Sequence, residues 1–178
     1  MSQVEQQCQT FLKSRQSMML STQSPSGTLE TSVVPFVELE AGVLAILVSE
    51  LAQHTQNLLA LLSAENTENA ENPSIQKSAG LVAGLLVADE ASSEQLFARE
   101  RLSLQMRVQL VAGGTEERSE ILRLMQAQFG EVIEVLAGLP DFHCFKLQVK
   151  SGRYVKGFGA AYAFVDCPCI GLQGIKGR

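Results

Sequence analysis

The sequence predicts an α+β protein, a closed antiparallel β-barrel with helices at its periphery. Six or more short segments with the patterns of strands are joined by turn residues. Helical patterns occur only at the start, in the middle and towards the end of the chain, so strands do not alternate strictly with helices. This arrangement disfavours a doubly wound parallel sheet. The 178 residues suffice for one domain with a sizeable core, or for one subunit of a small oligomer.

The first half of the predicted barrel begins with a helix over residues 4–16, whose apolar side chains share one face. Three strands follow, at Met18–Thr22, Leu29–Val37 and Gly42–Val48. Their short connections predict an antiparallel meander. Pro35 cannot donate a ladder hydrogen bond, so the second strand lies at an edge or contains a bulge. A helix is expected from Leu51 to about Leu62.

The second half contains a long loop and further strands and helices. Residues 64–78 are polar and contain a proline, which predicts the loop. Residues 102–111 alternate apolar and polar side chains, which is typical of a half-buried strand. The other predicted elements are a strand at Gly80–Ala88, a short helix opened by Ser92–Gln95, a helix after Gly113–Thr115, a helix at Gly130–Leu136, a strand at Phe142–Val149, a turn at Ser151-Gly152 and a last strand or strand pair at Arg153–Val165. We therefore expect a barrel domain over residues 1–165 and an irregular tail over residues 166–178.

Composition restricts the class of protein. The formal net charge is -5 and basic residues are not clustered, which disfavours nucleic-acid binding. No apolar run approaches the roughly 20 residues of a membrane span. The polar N-terminus lacks the apolar region of a signal peptide, so we expect a cytoplasmic protein. The sequence also lacks a dinucleotide-binding glycine motif, a P-loop and a nucleophile elbow.

The cysteines and histidines argue against a metal site. The spacing of Cys8, Cys144, Cys167 and Cys169 is not typical of a disulfide framework or a zinc site, so we expect most of them to be reduced thiols, two of them in a loose tail. The sequence has two histidines, His54 and His143, which excludes a site of three histidines. His143 alternates with apolar residues in a predicted strand, where a half-exposed histidine is the simpler interpretation.

The segment from Ser49 to Leu58 is a candidate anion site. Ser49 stands where a buried strand gives way to a helix, so its side chain is suited to cap the helix N-terminus. Free N–H groups at such a terminus attract phosphate. His54, Thr55 and Asn57 follow within one turn. The alternative is that Ser49 only caps the helix and the polar side chains face water.

Basic residues elsewhere supply further candidates. Arg99 and Arg101 point to the same side of an extended chain, where both could pair with one phosphate, or they form a solvated charge cluster. Gly157 and Gly159 follow Lys156 in a predicted strand. Glycines in a strand indicate close approach of a ligand or partner, or a bulge at a barrel corner.

Three segments together resemble a known family. Ser49–Leu58, Gln95–Leu104 and Val155–Tyr162 are similar to segments of the haem-utilisation (HutZ/HugZ-like) proteins, which belong to the pyridoxamine-phosphate-oxidase-like, FMN-binding split-barrel group. The resemblance extends from the first helix to about Val165. It implies a six-stranded split β-barrel that forms a homodimer, with two cofactor sites at the interface.

The resemblance also implies site residues and two cofactors. FMN is expected along Thr31, Ser32, Val33 and Val34, with its phosphate near Ser49, Glu50, Leu51, His54, Thr55 and Asn57, and with Arg99, Arg101, Gln105 and Lys156 completing the site. The implied function is a flavin-dependent oxidoreductase whose substrate the sequence does not reveal.

The alternative implied by the resemblance is a haem-binding or haem-degrading protein of iron acquisition. In such relatives a histidine in the partner subunit's tail binds iron, and an aspartate matching Asp141 supports it. The tail of this chain contains no histidine, which leaves Cys167 and Cys169 as candidate thiolate ligands. A dimer without cofactor, with a structural role, is a third possibility.

Overall fold

One antiparallel sheet and four α-helices make up the part of the chain that a computed structural model describes, residues 1–68 and 81–175, with backbone alone for residues 65–68. The elements in chain order are α1 (Gln3–Lys13), β1 (Ser17–Gln23), β2 (Leu29–Pro35), β3 (Val37–Glu40), β4 (Val43–Ser49), α2 (Gln53–Glu68), β5 (Leu81–Val87), β6 (Arg101–Val111), α3 (Glu116–Phe129), α4 (Val132–Ala137), β7 (Phe142–Gly157), β8 (Ala160–Val165) and β9 (Gln173–Gly174). Two single-turn 3₁₀ helices, Glu90–Ser92 and Leu96–Ala98, lie between β5 and β6. Within these ranges no helix is both long and apolar enough to span a bilayer.

The sheet curls into a barrel that is split along one seam. Its strand order is β2-β1-β5-β6-β7-β4-β3, and every ladder is antiparallel. The two end strands, β2 and β3, are joined by Phe36 alone, so the outer edges of the sheet must approach each other. The α+β, antiparallel prediction is confirmed. The described residues contain nine strands, in agreement with the six or more that the patterns predict, and the six-stranded count implied by the resemblance is not confirmed.

The predicted three-stranded meander is wrong. β2 pairs with β1, but the next two strands pair with each other, and β4 pairs with β7 on its other side. The chain leaves the β1–β2 hairpin at Pro35, which lacks the N–H that would continue the ladder. Phe36 is buried in the core and redirects the chain into β3.

The predicted turn at Ser151-Gly152 is also wrong, because β7 runs unbroken from Phe142 to Gly157. Its first half pairs with β4 and its second half with β8, while β6 follows almost its whole length. A bulge near Lys150 marks the change of partner. Gly152 is required for close packing: a Cβ there would lie 2.3 Å from the Ser103 carbonyl oxygen. The chain reverses instead at Phe158-Gly159, where Gly159 has φ +65°.

The structure also corrects the predictions for the loop after α2 and for the C-terminal tail. α2 extends to Glu68, so the start of the predicted loop 64–78 is helical. The rest of that predicted loop, residues 69–78, lies outside the described residues. The tail is attached to the barrel and is not loose. Cys169 is fully buried and forms a disulfide with Cys8 of α1, which corrects the expectation of reduced thiols for this pair. Gln173–Gly174 pairs with β8.

Two apolar cores lie on opposite faces of β4. Leu44, Ile46 and Val48 face the barrel interior, whereas Ala45 and Leu47 face a second core beneath α3 and α4. This two-sided burial explains why the β4 sequence is continuously apolar and does not alternate. The barrel core also contains side chains of α1 and α2, which close two sides of the barrel.

Candidate functional site

Ser49 ends β4 but does not cap α2. The helix begins at Gln53, after a turn that separates it from the strand. The Ser49 hydroxyl donates to Asp141 Oδ2 at 2.5 Å and accepts from the N–H of Leu51 at 3.1 Å. Antiparallel pairing of β4 with β7 places Asp141 beside it, because Ser49 stands opposite Phe142. The Ser49 hydroxyl therefore connects the end of β4 to the residue that precedes β7.

The two residues after Ser49 have structural contacts of the same kind. The N–H of Glu50 donates to the Asp141 carbonyl oxygen at 2.8 Å, and the Glu50 carboxylate pairs with His143 Nε2. Leu51 is 89% exposed. The Glu50 carboxylate in this turn would repel a phosphate, so the turn does not have the positive charge that the sequence suggested for an anion site.

The first turn of α2 packs against the barrel. His54 Nδ1 lies 2.8 Å from the Ser32 hydroxyl of β2, and Asn57 donates to the buried Thr22 hydroxyl at 3.0 Å. Thr55 is completely buried. Burial lowers the pKa of His54, while the charge of Glu30 opposes this shift. A neutral imidazole contributes little to anion binding, so these contacts anchor α2 to β1 and β2.

The predicted flavin strand presents alternate residues to opposite faces. Val34 is in the barrel core and Ser32 faces α2, whereas Thr31 and Val33 point outward. Val33 is 68% exposed and stands opposite Met19 of β1. The two outward positions are therefore the ones that could touch a cofactor or a partner subunit on this strand.

A cleft of about 400 Å³ lies on this outer face. Its floor is apolar and is formed by Met19, Val33, Leu85 and Val87. Arg15 and Arg99 are also in its lining, with Asp89 beside them.

A larger cleft, of about 1010 Å³, lies between α1, the 3₁₀ segment and the end of β7. Its lining includes three aromatic side chains and three cations, which are Phe11, Tyr154 and Phe158 and Arg15, Arg99 and Lys156. Arg15 stacks over the Phe11 ring at 5.5 Å. Phe11 and Tyr154 are buried, so Phe158 is the ring that is exposed to a ligand. Glu94 and Glu100 also line the cleft, which leaves an excess of one positive charge and suits a ligand that carries carboxylate or phosphate groups.

The paired-arginine hypothesis is only partly supported by the geometry. Arg99 lines both clefts and contacts Glu90 at 3.1 Å. Arg101 donates to the Arg99 carbonyl oxygen at 3.0 Å and lines neither cleft. Gln105 faces outward on β6 opposite Ala83, also outside both clefts. One arginine of the pair, not both, is presented to a ligand.

The predicted site residues therefore separate into two groups. Ser49, Glu50, Leu51, His54, Thr55 and Asn57 line neither cleft of the single chain, whereas the predicted cofactor site lies between two subunits. Arg99 and Lys156 do share the larger cleft. Sequence reasoning missed Arg15, Phe11 and Tyr154. The spacing of Phe11 and Arg15, one helical turn apart, was the available signal for the first two.

A sequence comparison decides the family. The profile of pyridoxamine 5′-phosphate oxidase matches residues 4–156. The chain belongs to this family. Haem oxygenase HutZ of Vibrio cholerae is 32% identical over 159 residues, which are 89% of this chain and 80% of HutZ. The resemblance to haem-utilisation proteins is thereby confirmed.

Solved structures of the family agree with the fold. The crystal structure of Vibrio cholerae HutZ, described as a haem storage protein, has a TM-score of 0.68 and 29% identity, and covers 84% of this chain and 92% of its own. Campylobacter jejuni ChuZ has a TM-score of 0.76 and 27% identity, and covers 100% of this chain and 66% of its own.

The cysteine ligands considered for this family member do not fit the structure. Cys169 is joined to Cys8 and has no free thiolate. Cys167 is free, but burial raises the pKa of its thiol and the charge of Glu38 adds to this shift. Neither cysteine lines the larger cleft. Burial raises the pKa of Cys144 to about 11, and this side chain lies in the second core.

Proposed function

We propose that this protein binds haem in the larger cleft, through the porphyrin ring and its two carboxylates. The observation that carries the proposal is the combination of the exposed Phe158 ring with three cations around a cleft of about 1010 Å³. This volume is at the upper end of the range typical of small-molecule sites. The relationship to HutZ, a haem oxygenase by description, supports the choice of ligand.

The three cations can bind a ligand carboxylate without the loss of a strong ion pair. Arg15 and Arg99 pair with Asp89 and Glu90, but both acids are largely exposed, and exposed pairs are weak. Lys156 has no ion-pair partner within the described part of the chain. A ligand carboxylate could therefore replace these acids and also neutralise Lys156.

The cleft offers Phe158 to the ring and three cations to its carboxylates, but it lacks the usual side-chain ligands for iron. Among the described residues that line the cleft there is no histidine, cysteine or methionine. The Tyr154 hydroxyl donates to Glu100, and burial together with this carboxylate raises the pKa of Tyr154 well above its usual range. Bound haem would supply iron for redox chemistry, and the side chains of this cleft would bind and orient the ring.

Titration with hemin tests the proposal, followed by the shift of the Soret band. Lys156→Ala should weaken binding about tenfold, the size expected for one charge-assisted hydrogen bond. Lys150→Ala is the matched control, since Lys150 is on the same strand but outside the cleft lining. Iron-free protoporphyrin IX should bind within about tenfold of hemin if the ring and carboxylates dominate. Absence of a Soret shift, or equal effects of the two lysine variants, would refute haem binding in this cleft.

A second candidate is FMN on the outer face of the sheet, in a homodimer. The observation in its favour is the smaller cleft, with its apolar floor and two arginines. Flavin binding would appear as quenched FMN fluorescence on titration. A cofactor-free dimer would show neither this quenching nor a Soret shift.

The dimer itself can be tested by changing exposed valines. Val33→Glu places a charge on the outer face of β2 and should shift the protein to monomer in light-scattering chromatography. Val135→Glu is the control, because Val33 and Val135 are 68% and 67% exposed and Val135 lies on α4. A dimer that survives Val33→Glu would place the interface elsewhere.

A further inference from the structure

The C-terminal tail is joined to α1 at two points. Cys169 forms the disulfide with Cys8, and the N–H of Gly171 donates to Glu5 Oε1 at 2.7 Å. Glu5 also accepts from Ser2 in the capping box of α1, and these backbone donors lower its pKa. Helix and tail are thus linked over one helical turn by a covalent bond and a charged hydrogen bond.

The same helix forms a wall of the larger cleft. Gln7 and Phe11 line the cleft, and Cys8 lies between them in sequence. The side chains that bury α1 in the barrel core are Cys8, Phe11 and Leu12. Because Cys8 is one of these anchors, whatever fixes Cys8 also fixes the position of the cleft wall.

The tail has a backbone that needs external support. Cys169 has φ +62° and Asp166 has φ +63°, and both are residues with a Cβ in the left-handed region. Such conformations persist where surrounding contacts hold them. The disulfide, the burial of Cys169 and the close packing of Pro168 against Gly42 provide these contacts.

We propose that the Cys8–Cys169 disulfide is a redox-controlled latch, which holds α1 as the wall of the larger cleft and is opened by small thiol reductants. In opening, a thiolate attacks one sulfur, forms a mixed disulfide and displaces the other cysteine as a thiolate. A second thiol then displaces the first cysteine, and the reductant leaves as its own disulfide. Two reductant thiols are oxidised, and Cys8 and Cys169 each gain a proton.

The latch differs from a permanent structural crosslink because its reduction releases the C-terminal tail from its covalent link to α1. Without the disulfide, Cys169 is free to leave its left-handed conformation. The tail then retains non-covalent links, which include Glu5–Gly171, the packing of Pro168 against Gly42 and the short β8–β9 pairing. Both cysteines are fully buried in the barrel core, so a small thiol reaches the disulfide only during a local opening around the tail, and reduction is expected to be slow.

Hydrogen–deuterium exchange of the full chain, with and without a small thiol reductant, tests the latch. Reduction should increase exchange at least tenfold in peptides from α1 and residues 166–175, and leave β4 and β6 unchanged. Cys8→Ser should reproduce this change without reductant, whereas Cys167→Ser, two residues from Cys169, should behave as wild type. Unchanged exchange in α1 after complete reduction, or loss of protection throughout the barrel, would overturn the latch.

A second measurement connects the latch to the cleft and rests on the proposed haem binding. Hemin should dissociate at least fivefold faster from the reduced protein. If hemin does not bind in either state, the proposed function fails while the exchange result still decides the latch. If hemin binds and dissociates equally fast in both states, control of the cleft by the disulfide is refuted.

Discussion

Gly152 offers a direct test of how β6, β7 and β8 are packed. A Cβ at this position would lie 2.3 Å from the Ser103 carbonyl oxygen and 2.4 Å from Phe164 Cζ. Contacts this short cannot be relieved by a side chain alone, since the first one involves the backbone of β6. Overpacking of this kind usually costs 1–3 kcal/mol. We expect Gly152→Ala to be at the upper end, about 3 kcal/mol, or about 6–12 °C in Tm for a chain of this size.

The control for this prediction is Gly84→Ala. Gly84 is also in a central strand, but its Cβ would meet the flexible ends of Met106 and Met18, at 2.7 and 3.1 Å. Methionine side chains adjust readily, so the cost should stay below about 1 kcal/mol. Guanidinium unfolding of both variants measures the difference. Equal midpoints for the two variants would show that β7 is not continuous through Gly152.

Three further predictions concern contacts of the barrel with its helices. Removing the disulfide by Cys8→Ala with Cys169→Ala should lower the unfolding free energy by about 2–5 kcal/mol, since it joins residues 161 apart; an unchanged guanidinium midpoint would contradict this. Asn57→Ala should cost about 1–3 kcal/mol through its buried bond to Thr22, yet leave hemin affinity intact; weakened binding in the folded variant would restore Asn57 as a site residue. The lowered pKa of His54 means that the unfolded state binds more protons below about pH 6.5, so stability should fall as the pH decreases from there. His54→Gln should flatten this dependence in urea titrations at pH 5 and 7.5, and a slope equal to that of wild type would assign it to other groups.

Periodicity predicted the elements whose burial is one-sided or complete. The alternation from Leu102 predicted β6, and the continuous apolar run before Ser49 predicted β4. In both cases the pattern follows from which faces the strand buries. Which strands pair was harder to predict than where the strands lie. The pairing of β4 with β7 is non-local, and no local sequence pattern indicates it.

Glycine and serine were the main sources of error, since each serves several purposes. Ser151-Gly152 has the composition of a turn, but Gly152 is there because neighbouring strands approach too closely for a Cβ. Ser49 has the position of a helix cap, but the helix begins four residues later and its hydroxyl bonds Asp141. A local motif specifies which hydrogen bonds a side chain can make, and the tertiary structure decides which one it does make.

The larger cleft illustrates which parts of such a site sequence analysis finds and which it misses. Its walls come from α1, from the segment before β6 and from the end of β7. The last two overlap Gln95–Leu104 and Val155–Tyr162, two of the segments that carry the family resemblance. Arg99 and Lys156 were therefore predicted as site residues, whereas Arg15, just after α1, was not, because only the fold brings it to the same opening. The disulfide between Cys8 and Cys169 has the same origin, because folding places the two ends of the chain side by side. If α1 moves when that bond is reduced, the shape of the cleft depends on the redox state of two residues that sequence spacing gave no reason to pair.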